Sequence, residues 1–246
     1  MPHDMELFHI LDSVDSTNNY AMGMVRQGLW KHGNACFALE QTAGKGRRGR
    51  EWKSSNNENI ILSLVVNPGF LKLYQQFYLS LITSLSCHEL FSMYAKDSVK
   101  IKWPNDIYWN DRKAAGILIE NVIKGNQWQW SIVGIGMNIN QNSFDSELLR
   151  PVSLKQITGL EFNVVDLAKE LYSLFFKYYD QLLNDSIEGL LEKYNRHLYG
   201  RNEIVKLRFE RQIFETEIRG VSGDGALLTY DVMDRKFEFD QVEWLI

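Results

Sequence analysis

The sequence predicts a mixed α and β fold followed by a small module built from strands alone. Helix and strand patterns are interleaved as far as residue 197, whereas the chain from Leu198 onward holds only short strands and turns. The length of 246 residues suits one large domain with a small appendage. We therefore expect a domain over residues 1–197 and an all-β module over residues 198–246, whose thin core has to lean on its neighbour.

Apolar periodicity and turn residues divide the first region into elements. A strand begins at Phe8 and turns at 12–16, where Ser16 or Asp15 is placed to cap a helix that runs to Gly28. The later elements, in order, are strands in "NACFALEQ" and "NIILSLVV", a helix in "FYLSLITSLSCHELFSMYA", a strand "VKIKW" stopped by Pro104, a hairpin turning at Asn110 and Asp111, a strand in "WQWSIVGIGMNIN" and two helices within 165–197.

The C-terminal region has four segments with strand character. They are "EIVKLRF", "QIFETEIRGV", "ALLTYDV" and "KFEFDQVEWLI", and the clearest turn between them is "SGDG" at 222–225. No internal repeat or long linker stands out in the chain.

Charge and composition argue against several classes of protein. A net charge of -4 and a pI near 5.8 disfavour a general nucleic-acid binder, since such proteins usually carry a broad basic excess. The N-terminus has no basic segment followed by a long apolar core, so we expect no signal peptide and a cytoplasmic location. The longest apolar run, near Ile60–Val66, is too short to span a bilayer. Cys36 and Cys87 are expected to be buried thiols.

The segment "QTAGKGRRGREW" (41–52) concentrates positive charge on a flexible backbone. Its glycines match G-x-G-x-x-G, yet the acidic residue that a dinucleotide site needs about 20 positions later falls in the apolar stretch 63–66. A Walker A loop fails too, because Arg50-Glu51 replaces its Lys-Ser/Thr pair. Glycine amides and arginine forks still suit a phosphate or carboxylate. A solvated loop and a nucleic-acid contact remain open alternatives.

A second cluster lies in "VKIKWPNDIYWNDRKAAGILIE" (99–120), where Pro104 fixes the backbone ahead of a turn. Lys113 then opens a strand, and regular alternation puts it with Ala115 on one face and Gly116 on the other. Lys113 is therefore either a snorkelling edge residue or a preorganised cation in a partly desolvated site.

A third cluster is the strand "IVGIGMNIN" (132–140), which bares glycines on one face. Gly134, Gly136 and Asn138 share that face, opposite an unbroken apolar one. The bare face leaves room either for a flat group or for the close approach of a neighbouring backbone. The amide of Asn138 suits the edge of a heterocycle, because it offers both a donor and an acceptor.

Five motifs, in this order and at this spacing, resemble the catalytic domain of biotin–protein ligases. They are "DSTN" (15–18), "QTAGKGRRGREW" (41–52), "KWPND" (102–106), "RKAAGILIE" (112–120) and "VGIGMNIN" (133–140). The resemblance covers residues 8–140. It implies an α+β fold in which a mixed β-sheet is flanked by helices, as in class II synthetases, with a small SH3-like β-barrel at the C-terminus.

The same resemblance implies an ATP-dependent ligase. Such an enzyme forms biotinyl-5'-AMP from biotin and ATP with Mg²⁺, and then transfers biotin to a lysine on the biotin carboxyl carrier domain of a biotin-dependent carboxylase. The chemistry needs no covalent nucleophile from the protein, whose work is positioning and the neutralisation of negative charge.

The matched motifs imply the site residues. Lys113 and Arg47 are the expected catalytic residues, since cations have to lie between the carboxylate and the α-phosphate. Biotin contacts are expected from Ser16, Thr17, Gln41, Gly44, Lys45, Arg47, Lys113 and Gly116. Contacts with ATP or the adenylate are expected from Gly46, Arg47, Arg50, Trp52, Asn105, Lys113 and Asn138. Asp106 is the candidate Mg²⁺ ligand, directly or through water.

The chain departs from the family pattern at two places. Lys45 stands where the family loop has its first arginine, so the charge is kept while the bidentate fork is lost. The stretch 141–156 has no clear match to the family's second mobile loop. The first motif begins by residue 15, so we expect a monofunctional ligase that lacks the DNA-binding domain of some members. Monomer and homodimer both remain open.

Two other functions stay open at this point, and an inactive scaffold is a third alternative, which ATP–pyrophosphate exchange that depends on biotin would rule out. Lipoate–protein ligases share the fold, although no stretch of the type RR-x-SGGG, which marks many of them, occurs here. A nucleic-acid-binding module that uses the basic loop is a different class, and a salt-dependent gel shift would reveal it.

Overall fold

Within residues 5–145 and 150–245, which the computed structural model describes, seven strands form one mixed sheet. The strands are β1 Phe8–Val14, β2 Ala35–Gln41, β3 Asn59–Val66, β4 Val99–Lys102, β5 Asp106–Trp109, β6 Arg112–Lys124 and β7 Gln127–Asn138. Their order is β1-β2-β3-β7-β6-β5-β4, with β1 and β2 parallel and all other pairs antiparallel. The predicted mixed sheet is confirmed, although β1 continues to Val14, beyond the start of the predicted turn.

Helices cover both faces of this sheet. They are α1 Thr17–Arg26, α2 Phe77–Ala95, α3 Leu154–Thr158, α4 Val164–Asn184 and α5 Ile187–Arg196. All but the short α3 were predicted from the sequence. Ser16 caps α1 as expected, accepting a hydrogen bond from the Asn19 amide at 3.5 Å. Neither α2 nor α4, nor any other described helix, combines the length and apolar character needed to cross a membrane.

The main core lies between one face of the sheet and the helices α2 and α4. Because side chains alternate along a strand, Leu62 and Leu64 of β3 point into this core. Val65 points the other way, into a smaller apolar cluster beneath α1 that also holds Cys36. Both cysteines are free and buried, as predicted, and burial raises the pKa of Cys36 to about 12. The α1 side is the thinly covered face, and the polar residues of the candidate site lie there.

Five further strands form a separate antiparallel sheet at the C-terminus. They are β8 Ile204–Phe209, β9 Gln212–Val221, β10 Leu227–Tyr230, β11 Asp234–Phe237 and β12 Val242–Trp244. Their order is β11-β10-β9-β8-β12. The predicted all-β region is therefore confirmed. In the described residues the sheet does not close on itself, and β11 and β12 form its two edges.

The small sheet packs against the larger part of the molecule, which adds to the thin core that it can form by itself. Trp103, only 1% exposed, donates from Nε1 to the Gly225 carbonyl at 2.9 Å, and its ring stacks on Phe239 with centroids 5.6 Å apart. Asn195 of α5 makes two hydrogen bonds, of 2.7 and 2.9 Å, with the backbone of Val221. Aromatic and amide contacts thus place the turn between β11 and β12 near the cavity described next.

Candidate active site

A cavity lies on the α1 face of the larger sheet, beneath loop 44–52. Its volume is about 60 Å³, well below the roughly 300–1,000 Å³ typical of small-molecule sites. The predicted residues that line it are Ser16, Thr17, Gln41, Lys45, Gly46, Arg47, Trp52, Asn105, Lys113 and Gly116. The structure therefore brings together residues from all five sequence motifs, with Gly134 and Gly136 contributed by the fifth.

Four predicted residues are not part of the lining: Gly44, Arg50, Asp106 and Asn138. Each instead contacts a residue that is. The Arg50 carbonyl accepts a hydrogen bond from the Gly46 amide at 2.7 Å. Asn138, 4% exposed, donates to the Lys113 carbonyl at 3.3 Å and so braces the backbone of that lysine.

A bulge in β6 turns Lys113 toward the cavity. Strand β5 pairs with Ala115 on one side of the bulge and with Lys113 on the other, which leaves Ala114 as the extra residue. A Cβ placed on Gly116 would lie 3.3 Å from Lys113 Nζ, so both residues face the same way. The expectation that they occupy opposite faces is wrong, because an extra residue shifts the two-residue period by one.

The Lys113 ammonium is held in place by a carboxylate. Its Nζ lies 2.8 Å from Asp106 Oδ1, and the two side chains are 31% and 18% exposed. The same Nζ lies 6.0 Å from the centre of the Trp52 ring. The contact is an ion pair, because Asp106 Oδ1 has no hydrogen-bond partner among the described residues. The three donors of the ammonium therefore remain for an anion in the cavity.

Lys102 is a further cation near Asp106 that sequence reasoning did not single out. Its pKa is lowered to about 8, mainly by burial, with smaller lowering contributions from Lys113 and Arg50 that act against the raising effect of Asp106. Its ammonium lies over the rings of Tyr108 and Trp244, at 5.0 and 5.4 Å. Lys102 was missed because Tyr108 and Trp244 surround it only in the folded protein. In the sequence it is hard to distinguish from an ordinary lysine at the edge of a sheet.

The opposite end of the cavity is a network of hydroxyl and amide groups that ends at the Glu120 carboxylate. The Gln41 amide oxygen accepts a hydrogen bond from the Thr17 backbone N–H at 2.9 Å. Ser63 Oγ lies 2.8 Å from Thr17 Oγ1 and 2.6 Å from Asn18 Oδ1. Asn18 in turn donates to a Glu120 carboxylate oxygen at 2.7 Å. Asn18, Ser63 and Glu120 were not predicted as site residues, although Ser63 interrupts the otherwise apolar run from Ile60 to Val66.

The space beside the β7 glycines is occupied by the protein's own side chains. A Cβ on Gly134 would lie 2.3 Å from Asn18 Oδ1, and a Cβ on Gly136 would lie 2.3 Å from Cε2 of the Trp52 indole. The flat group that this face accommodates is thus Trp52 in the present structure. Its Nε1 is buried and has no hydrogen-bond partner among the described residues, an arrangement that costs about 1–3 kcal/mol.

The loop above the cavity is held by close backbone approach. A Cβ on Gly44 would lie 2.2 Å from the Trp52 carbonyl oxygen and 2.3 Å from Gln41 Nε2, so no larger residue fits without a shift. Lys45 Nζ donates to the Asn19 side chain at 2.6 Å. At this position an ammonium point charge makes the contact, and no bidentate fork is used.

Arg47 is held from two sides above the cavity. Its Nη1 donates to Asn105 Oδ1 at 3.2 Å, and Nη2 lies 3.0 Å from Asp240 Oδ1. Asn105 is itself fixed, since it donates to the Ile117 carbonyl at 2.8 Å. Among the described residues, three cations line the cavity: Arg47 and Lys113 at one end, and Lys45, whose ammonium donates to Asn19. The cavity offers hydroxyl and amide groups at its other end. It suits an elongated ligand with a polar uncharged head and an anionic tail.

A family model described as "Biotin/lipoate A/B protein ligase family" matches residues 10–138. Among curated proteins, the bifunctional ligase/repressor BirA of Escherichia coli (strain K12) is 31% identical over 226 residues, which cover 89% of this chain and 68% of that protein. The biotin–[acetyl-CoA-carboxylase] ligase of Paracoccus denitrificans is 36% identical over 159 residues, covering 61% of this chain and 63% of that protein.

Solved structures agree in fold. The biotin protein ligase from Aquifex aeolicus in complex with biotin and ATP is 26% identical with a TM-score of 0.81, and the match covers 96% of this chain and 97% of that one. The Leishmania major biotin protein ligase in complex with biotinyl-5-AMP is 25% identical with a TM-score of 0.65, over 94% of this chain and 98% of that one. With its five motifs gathered at one cavity and these matches, the chain belongs to the biotin/lipoate A/B protein ligase family.

Proposed function

We propose that this protein is a biotin–protein ligase. It forms biotinyl-5'-AMP from biotin and ATP and passes the biotinyl group to a lysine of a biotin carboxyl carrier domain. The observation that carries the proposal is the division of one cavity into a neutral polar end at Thr17 and Gln41 and a cationic end at Lys113 and Arg47. Several relatives are named as biotin ligases, and the lipoate alternative has no comparable support.

The polar end suits the ureido ring of biotin, a small head that needs both donors and acceptors. Hydroxyl and amide groups from Thr17, Asn18 and Gln41 offer both within one network. From there the valeryl tail runs past Gly116 once the Trp52 ring, 3.2 Å from where a Cβ would lie on that glycine, has moved aside. The tail carboxylate then lies at the cationic end, beside Lys113 and Arg47.

In the first step a biotin carboxylate oxygen attacks the α-phosphorus of ATP. The bond from that phosphorus to the pyrophosphate oxygen breaks, and pyrophosphate leaves. Two anions have to approach each other, so the roles of Lys113 and Arg47 are to offset their repulsion and the charge that builds on the α-phosphate. Asp106 orients Lys113 through the 2.8 Å ion pair and leaves its N–H groups for the substrates.

In the second step the amine of the carrier lysine attacks the carbonyl carbon of the mixed anhydride. The bond from that carbon to the phosphate oxygen breaks, AMP leaves and the amine loses a proton. The protein supplies no nucleophile of its own, in keeping with buried and protonated cysteines. Its task is to hold the reactive intermediate beneath loop 44–52 until the carrier arrives.

Magnesium is proposed to enter with ATP. The described residues contain no cluster of three acidic or histidine side chains that would form a protein-built metal site. The residues fit a more limited role, because Mg²⁺ is commonly held by one carboxylate, substrate phosphates and water. Asp106 is the carboxylate at hand, and bound Mg²⁺ would neutralise phosphate charge.

The loop has to move for substrates to enter. A cavity of about 60 Å³ does not hold biotin and ATP together while Trp52 covers Gly116 and Gly136.

We propose that residues 1–197 carry the ligase chemistry and that residues 198–246 form the appended β module. The proposed substrate protein is the biotin carboxyl carrier domain of acetyl-CoA carboxylase.

The deciding experiment is biotin-dependent transfer to an isolated carrier domain with ATP and Mg²⁺. We expect ATP–pyrophosphate exchange that requires biotin, followed by labelling of the carrier. Exchange that requires lipoate and ignores biotin would overturn the proposal in favour of the related ligase. Exchange with neither acid would refute an adenylate-forming activity altogether.

A further inference from the structure

Two arginines of the basic loop share one carboxylate of the C-terminal sheet. Arg47 Nη2 and Arg48 Nε each lie 3.0 Å from Asp240 Oδ1. Arg48 Nη2 also donates to the Asp240 backbone carbonyl at 2.8 Å. Asp240 stands in the turn between β11 and β12, so these contacts join the loop above the cavity to the C-terminal sheet.

The turn that carries Asp240 is anchored in packed aromatic side chains. Its neighbour Phe239 stacks on Trp103 with ring centroids 5.6 Å apart and lies 6.2 Å from Phe77. The Arg47 guanidinium lies over the outer side of this ring, 5.5 Å from its centre. Asp240 thus follows a residue that is packed against two aromatic rings, and Phe239 itself adds a second contact to Arg47.

The loop segment that Asp240 holds has little regular structure of its own. Arg47–Gly49 is a single 3₁₀ turn, with Arg48 in the left-handed region at φ 57°. Within it, Arg50 N donates to the Arg47 carbonyl at a long 3.2 Å. A short turn of this kind is unfavourable in isolation, so its geometry depends on contacts with the rest of the molecule.

We infer that Asp240 is a positioning residue for the ligase reaction: it holds the Arg47–Gly49 turn so that Arg47 stays directed at the cavity. The inference rests on the proposed function, in which Arg47 contacts the anionic end of the substrates. Asp240 itself touches neither substrate. Its effect reaches the reaction through Arg47, and it couples the order of the loop to the C-terminal sheet.

The test variant is Asp240→Asn, with Asp224→Asn as its matched control. Asparagine keeps the size of the side chain and tolerates the left-handed backbone of residue 240, where φ is 67°. Asp224 is equally exposed, at 50%, and lies in the same sheet region, but it pairs with Lys236. Melting temperatures of both variants should match that of the original protein.

The first readout is independent of enzyme activity. Limited trypsin digestion of the ligand-free protein, followed by mass spectrometry, measures cleavage after Lys45, Arg47, Arg48 and Arg50. We expect Asp240→Asn to cleave about three- to tenfold faster there, the scale of losing two solvent-exposed ion pairs. Raising the salt to 0.5 M should speed cleavage of the original protein and change the variant less, since salt screens such pairs. Equal cleavage of the two proteins would overturn the inference.

The second readout follows the adenylate. With biotin, ATP, the carrier domain and a lysine-rich bystander protein, Asp240→Asn should biotinylate the bystander about three- to tenfold more for each carrier labelled. Asp224→Asn should behave as the original protein. Tighter retention in Asp240→Asn would show that Asp240 competes for Arg47 and would overturn the positioning role. If the original protein forms no adenylate, the proposed function fails, while the digestion still decides whether Asp240 holds the loop.

Discussion

Replacing Gly136 with alanine tests the idea that the bare face of β7 is the floor of the binding site. The new Cβ would lie 2.3, 2.6 and 2.7 Å from three atoms of the Trp52 indole. Ordinary contact begins at 3.4 Å, so the indole has to retreat by 3.4 - 2.3 = 1.1 Å. If a ligand displaces Trp52, the methyl group removes the same space from the ligand.

The fold should tolerate this change. Gly136 is paired with Ile61 on one side and Gly116 on the other, deep in the sheet, where alanine is favoured over glycine by about 0.5–1 kcal/mol. That gain offsets part of the strain of moving one side chain, so we expect the free energy of unfolding to change by less than about 1 kcal/mol. The rate of the reaction should fall far more than the stability does, since a 1 Å misplacement in an active site lowers rates by about 10²-fold.

The assay is biotin-dependent ATP–pyrophosphate exchange, read alongside urea unfolding. Gly23→Ala is the matched control, because a Cβ on Gly23 in α1 meets no atom within 4 Å. We expect the control to keep full exchange activity and to gain about 0.5–1 kcal/mol in stability. If Gly136→Ala exchanges at the original rate with unchanged affinity for biotin, then neither Trp52 nor a ligand occupies this face during the reaction, and the reasoning is refuted.

Three further substitutions probe other contacts. Lys113→Ala should slow the exchange reaction by about 10²–10³-fold with an intact circular dichroism spectrum, whereas Lys155→Ala, on a surface pair with Glu161, should not slow it. Gly225→Ala should lower the free energy of unfolding by about 2–4 kcal/mol in urea, because φ is +93° there and the new Cβ would lie 2.6 Å from the Phe77 ring. The third is Glu89→Gln, at a carboxylate that is 22% exposed. Burial raises the Glu89 pKa, but three hydrogen-bond donors outweigh this and lower it to about 2: Lys177, Tyr178 and Lys193. The ionised Glu89 therefore stabilises the fold above its unfolded pKa of 4.5, and that contribution is lost as pH falls from 4.5 toward 2. Urea unfolding should show Glu89→Gln about 1–2 kcal/mol less stable at pH 7, a figure reduced for solvent screening, with the gap closing toward pH 2. A gap that stays constant with pH would mean that the loss comes from packing.

The glycine-arginine loop illustrates how charge in a sequence is interpreted correctly only once its partners are known. Arg47 and Arg48 look like free cations in the chain, and the loop was open to three interpretations. In the structure both arginines contact Asp240, which is 193 residues from Arg47 along the chain. The loop's positive charge is therefore partly balanced inside the molecule, and a broad nucleic-acid surface is no longer needed to explain it.

Local chemistry determined most of the secondary structure. Alternating apolar residues, the Ser16 cap and the turn at Asn110 and Asp111 specify their elements through interactions within a few residues, so the sequence alone predicted them. The short α3 was missed because its five residues carry too little periodicity to be recognised. The five motifs predicted ten of the residues that line the cavity, because their types and spacing were already specific.

What only the tertiary structure decided is which way those residues face and what they touch. The bulge at Ala114 directs Lys113 toward Gly116, and bulges leave no reliable trace in a strand pattern. The network from Thr17 to Glu120 and the pairing of Arg47 with Asp240 join segments that are 103 and 193 residues apart. Such contacts depend on how whole elements pack, and no local preference encodes them. The sequence by itself therefore determined the chemical groups of the site, and the packing of two sheets decided their geometry.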